Sequence, residues 1–143
     1  MLRFLPFWGA CVGTVILFRN WKTSHWNVKG PGFFALHTAF EEQYNELFMA
    51  VDEVAERIRA LGALAPGGLG NLSKMAGFDE IAEDASAEVM VQSLHDQHSK
   101  VIQTLQSVGE SAAKSGDAET EDLMIARTQV HQKTAWMLKS YLG

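Results

Sequence analysis

From Phe33 to Leu61, apolar or aromatic residues fall at positions 33, 36, 40, 44, 47, 51, 54, 58 and 61, in steps of three or four without a miss. That period puts all of them on one stripe of an α-helix, whereas a half-buried strand would alternate every second residue. Gly62, followed by Pro66-Gly67-Gly68 and Gly70, ends the helix and opens a long connection reaching to about Asp84. A short helix over Asn71 to Ala76 fits within that crossover. No stretch has the short alternating runs and turn pairs that an all-β domain needs, and only three prolines interrupt the chain. The expected fold class is therefore all-α.

Before this helix, Lys29-Gly30-Pro31-Gly32 breaks any helical path, because proline lacks an amide hydrogen and restricts the residue before it. The run from Leu2 to Phe18 is almost unbroken in apolar character, with Arg19 and Lys22 after it. It is short for a membrane span: Phe4 to Phe18 would cover about 22 Å as a helix, against a hydrocarbon core of ~30 Å. Gly9-Ala10-Cys11 is a poor cleavage site, and residues 1 to 21 are read as an atypical apolar first helix, with a targeting or membrane segment as the alternative.

A third helix is expected from near Ser86, as cap, to Ser115-Gly116, with Met90 or Val91, Leu94, His98, Val101, Leu105 and Val108 on one stripe. A fourth begins at Asp117, where Glu119, Glu121 and Asp122 suit the positive end of a helix dipole. Four long helices with short links at either end and one long crossover between the second and third give ferritin-like bundle connectivity, here as one domain over 1–143.

With 47% hydrophobic and 20% charged residues the chain can bury one good core. A net charge of −5 argues against a protein whose main business is neutralising phosphates. Cys11 is the only cysteine, which excludes an intrachain disulfide or zinc–thiolate cluster and fits a reducing compartment, with the cytoplasm as the expectation.

The chemistry lies between His25 and Glu56. His37 and Glu41 are four residues apart, as are Asp52 and Glu56, so each pair shares a helix face and can hold one metal ion. An isolated pair of this kind is more often a surface or ion-pair feature. At about 100° per residue, however, the four fall at about 0°, 40°, 60° and 100°, one line beside the core stripe. His37 and Asp52 are about 22 Å apart along the axis, too far to share an ion in one chain. Two copies of the helix packed antiparallel about a two-fold axis near Glu46 and Leu47 would bring each His37/Glu41 pair opposite a partner's Asp52/Glu56 pair. His25, returning beside the helix, could complete each site. A single-chain di-iron bundle would use Glu-x-x-His motifs, and this sequence has none. Mixed carboxylate and imidazole ligands suit iron, manganese or zinc. Elsewhere, His98 reads as a hydrogen-bonded core histidine with His95 within reach, and His131 as structural without a recognisable partner.

At these residues the sequence resembles the Dps family, the ferritin-like DNA-protection-during-starvation proteins. Ser24-His25-Trp26-Asn27-Val28-Lys29-Gly30-Pro31 is similar to its His-Trp-Asn-Val-x-Gly-Pro motif, Leu36-His37 through Glu56-Arg57-Ile58 to its second-helix motif, and Val130 to Leu138 to its C-terminal helix. The resemblance covers about residues 22 to 143. It implies a homo-oligomer, a dimer-built dodecameric cage, with ferroxidase centres using His25, His37 and Glu41 of one subunit and Asp52 and Glu56 of another. Ferrous iron would be oxidised there, preferentially by hydrogen peroxide, and stored as ferric mineral. The resemblance also implies that Trp26, beside the first ligand, quenches oxidising equivalents, and offers Asp117, Glu119, Glu121 and above all Asp122 as iron-entry pore residues. Glu41 stands where the family commonly has Asp. No lysine-rich or basic tail is present in this sequence, so DNA binding by tails is not expected. The competing expectation is a non-enzymatic helical assembly that binds the nucleoid or a membrane.

Overall fold

The computed structural model describes residues 5–68, 70 and 78–143, with side chains in the first helix described from residue 13 on. Four long helices make the fold: α1 (Leu5–Asn27), α2 (Phe33–Ala60), α3 (Ala87–Ser115) and α4 (Ala118–Leu142). The short helix expected over 71–76 lies outside the described residues. Pro6 lies within α1, next to the first described residue of the helix. Among the described residues, no helix is long and apolar enough to cross a membrane.

The expected stripe of α2 is the buried one: Leu36, Phe40, Leu47, Val54 and Ile58 are in the core, with Phe33 and Tyr44 at its margin. Each fully buried side chain of this size contributes roughly 1.5–3 kcal/mol relative to exposure. On α3, Met90, Val91, Leu94, Val101, Leu105 and Val108 face them, joined by Leu17 and Trp21 from α1. Gly13 lets α1 approach α3 closely, since a Cβ there would meet Val101 Cγ2 at 3.3 Å and the Phe78 ring at 3.4 Å. Ser86 caps α3 by accepting from Val89 N–H, and left-handed Gly116 (φ 73°) closes it. Asp117 immediately caps α4, so the α3–α4 link needs only two residues.

α1 packs against α2 and α3, and α3 against α4. The fourth wall, α2 against α4, is a polar seam. Gln43 accepts from the Thr134 hydroxyl (3.0 Å), both carboxylate oxygens of Glu46 take N–H groups of buried Arg127, and Arg57 donates to Asp117 (2.7 Å) and Thr120 (2.9 Å).

His131, which the sequence left without a partner, joins this seam to the core: its Nε2 lies 3.1 Å from Arg127 and its Nδ1 2.9 Å from His98 Nδ1. His98 is indeed a hydrogen-bonded core histidine, but its partners are His131 and the Trp21 indole N–H (3.2 Å), while His95 lies against Asp96. Trp21 can only donate, so His98 Nε2 accepts and the His98 ring is neutral with its proton on Nδ1. A further proton would add a cation beside a guanidinium with no acceptor to receive it. Burial first, then the charges of His131, Arg127 and His95, hold His98 well below the ordinary value; burial and then Arg127 push His131 down to about 3.

In the unfolded chain both imidazoles protonate near 6.5, whereas in the fold they stay neutral to much lower pH. The unfolded state therefore binds more protons between 6.5 and about 3, and the stability the pair contributes, full above 6.5, falls as pH drops through that window. Thermal melting at about pH 7 and about pH 4.5 should show a marked fall in Tm for the unaltered chain and a smaller fall for His131→Gln.

Candidate metal centre

The turn between α1 and α2 sets the geometry. Val28 N–H closes α1 on the Ser24 carbonyl (2.9 Å), Gly30 takes φ 109°, which a side chain would oppose, and Phe33 N–H returns to the Gly30 carbonyl (3.0 Å). α1 and α2 thus run antiparallel from the turn, and His25 and His37, twelve residues apart, meet across it.

Their rings stack with centroids 3.8 Å apart and planes 21° from parallel. His25 Nδ1 lies 2.7 Å from the His37 carbonyl oxygen, and His37 Nδ1 lies 2.9 Å from the His25 carbonyl oxygen. A carbonyl can only accept, so both Nδ1 atoms carry hydrogen, and in the neutral rings both Nε2 atoms carry a free lone pair. This is the arrangement a metal-binding imidazole needs, with one nitrogen fixed by a backbone acceptor and the other ready to ligate. Phe33 stacks on the outer side of His37 at 5.0 Å, and Tyr44 meets His25 edge-on at 5.3 Å, so the pair is held from both sides.

Glu41 follows one turn later on α2, exposed; burial, then the nearby Glu41 carboxylate, raise the Tyr44 phenol above its ordinary value. Trp26 is 66% exposed beside His25, with the Lys22 ammonium 5.4 Å from its ring centroid. Asp52 and Glu56 are exposed farther along α2 and do not approach this group. Among the described residues, no three His, Cys, Asp or Glu side chains converge within the chain.

The surroundings of these residues are informative. Taking His37 as 0°, the core residues of α2 fall at about 220–300°, while exposed Phe34, Phe48 and Met49 fall at about 60°, 20° and 120°. Those three are 85%, 62% and 68% exposed, and they share the arc of His37, Glu41, Asp52 and Glu56. At the level of Glu46 and Leu47, both of those side chains face inward, so Asn45, Phe48 and Met49 occupy the outer face there.

The four acids at the start of α4 divide by environment. Asp117 is engaged: it caps Thr120 N–H (3.1 Å), accepts from the Thr120 hydroxyl (2.6 Å) and pairs with Arg57. Burial pushes its carboxyl up, but Thr120 and then Arg57 outweigh this and hold it below the ordinary aspartate value. Glu119 and Asp122 line a shallow cleft with Glu53, Glu56 and Arg57. Glu121 faces a different groove, between α3 and α4, with Glu110.

A bundle of this connectivity, with imidazoles at the α1–α2 turn, is ferritin-like, and the Ferritin-like domain model matches residues 19–143. General stress protein 20U of Bacillus subtilis is 40% identical over 119 residues, 83% of this chain and 82% of the relative. DNA protection during starvation protein 2 of Bacillus anthracis is 35% identical over 128 residues, 90% and 88% of the two chains. The crystal structure of Dps from Staphylococcus aureus matches with a TM-score of 0.93 at 36% identity, over 96% of this chain and 93% of that one. The chain belongs to the Dps family of ferritin-like proteins.

Because Asp117 caps α4 while Glu119 and Asp122 are exposed acids, their replacements separate. Asp117→Ala should lower urea-unfolding stability by about 1–2 kcal/mol, whereas Glu119→Ala and Asp122→Ala should stay within about 0.5 kcal/mol.

Proposed function

We propose that this chain assembles into a dimer-built homo-oligomeric cage, a dodecamer, that oxidises ferrous iron at sites between subunits and stores the ferric product. One subunit contributes His25, His37 and Glu41 to each site, and its two-fold partner contributes Asp52 and Glu56. The observation that carries this reading is the His25/His37 pair, whose Nδ1 atoms are tied to backbone carbonyls so that both Nε2 lone pairs are free. Two features support it further. Three exposed apolar side chains of α2 share the ligand arc, a surface that a second copy of α2 would cover. Family members at 30% identity or more include a Vibrio cholerae Dps described as belonging to the ferritin-like diiron-carboxylate superfamily.

Iron is the substrate in this scheme. Two ferrous ions each give one electron to a molecule of hydrogen peroxide; its O–O bond breaks, and with two protons it leaves as two waters. Delivering both electrons together avoids the one-electron cleavage that releases a hydroxyl radical. The carboxylates supply negative charge that favours the ferric state, and the imidazoles fix the position of the metal without adding charge. Trp26, beside His25, would intercept oxidising equivalents that escape, and Glu119 and Asp122 would help draw cations in. The proposal does not extend to binding DNA or a membrane, and the compartment it fits is the cytoplasm.

The shared site makes a sharp test possible. His37→Ala alone and Asp52→Ala alone should each abolish rapid ferric absorbance after ferrous iron and peroxide are mixed. When the two variants are unfolded together and reassembled, half of the pairs at random are mixed, and each mixed pair rebuilds one of its two sites. About a quarter of the rapid phase should return. A site contained within one chain would recover none, and light scattering of the unaltered protein should report a cage, since a monomer rules the scheme out.

A further inference from the structure

Lys22 lies four residues before Trp26 on the same face of α1, and among the described residues no carboxylate pairs with its ammonium. Aromatic rings surround it instead. Its Nζ lies 5.4 Å from the Trp26 ring centroid and 5.5 Å from those of Phe18 and Tyr44. This cage is held in place, because Phe18 and Tyr44 meet edge-on at 6.2 Å and Tyr44 meets His25 edge-on at 5.3 Å. A cation over a ring is attracted by its π electrons, and taking one electron from the ring turns that attraction into repulsion between two positive charges. Trp26 is therefore harder to oxidise than a tryptophan standing free. The chain carries its own comparison: Trp136 on α4 is exposed to the same 66%, and among the described residues no ammonium or guanidinium lies over its ring.

We infer that Lys22 sets the oxidation threshold of Trp26, so that the indole gives an electron to a hydroxyl radical but resists weaker oxidants such as hydrogen peroxide. This deepens the scavenging role proposed for Trp26 and rests on it. In that step the hydroxyl radical takes one electron from the indole and becomes hydroxide. The indole N–H proton passes to the hydroxide, leaving water and a neutral indolyl radical. Lys22 acts only through the ring and exchanges neither electron nor proton. With the charge in place, Trp26 is kept for the most damaging oxidant instead of being consumed by the peroxide that iron oxidation uses.

The test treats the iron-free protein with limiting chlorine dioxide, a neutral one-electron oxidant that Lys22 neither attracts nor repels; it takes an electron from an indole and leaves as chlorite. Peptide mass mapping then gives the oxidised fraction of Trp26 relative to Trp136. Lys22→Gln should raise that ratio about two- to fivefold, the scale of an exposed cation–π attraction, with Tm and particle size unchanged. Lys22→Arg restores the charge and should restore the unaltered ratio. A ratio that Lys22→Gln leaves unchanged, or that Lys22→Arg raises as much, overturns the inference. Spin trapping after ferrous iron and peroxide are mixed tests the role of Trp26 separately, since Trp26→Phe should raise the yield of trapped hydroxyl radical. If that yield rises but the chlorine dioxide ratio ignores Lys22, only the threshold falls; if the yield does not rise, the scavenging reading falls and the inference with it.

Discussion

Arg127 is the constraint on which the rest of the arrangement turns. Its guanidinium is buried on α4, and burying a charge of that kind costs several kcal/mol unless a counter-charge meets it with good geometry. Glu46 meets it with both carboxylate oxygens, which fixes the rotation of α2 as well as its distance from α4. Glu46 lies nine residues from His37, about 180° around the helix. Turning Glu46 inward therefore turns the His37, Glu41, Asp52 and Glu56 line away from α4. The ion pair thus agrees with the apolar repeat in setting which side of α2 faces inward.

The remaining contacts agree with that choice. Leu47 and Phe40 fill the interior, α1 covers the flank that carries His37, and Gln43 and Arg57 extend the α2–α4 seam on either side of Glu46. The seam is polar where a bundle of this size would ordinarily close with leucines, and its histidines sit where a proton is least welcome. The same network that orients α2 thus couples that orientation to acidity.

Much of this was legible in the sequence because helices write their packing at a fixed period. The stripe from Phe33 to Ile58, the cap at Ser86, the break at Gly116 and the single line of candidate ligands on α2 all follow from local spacing. The partners of His131 were not legible: His98 is 33 residues away and Arg127 shares the helix, so only the packed bundle brings the three together. Glu46 and Arg127 are 81 residues apart, and no periodicity links them. Even at the candidate site, twelve residues of separation conveyed that His25 and His37 could be neighbours, but not that each imidazole would take its hydrogen-bond acceptor from the other residue's backbone.

That exchange of acceptors makes the two histidines one mechanical unit. Removing either ring leaves the surviving ring without its stacking partner, although the carbonyl that holds it remains. The second removal then has less left to undo than the first. The two positions are epistatic by construction: the structural consequence of changing one histidine depends on whether the other is present.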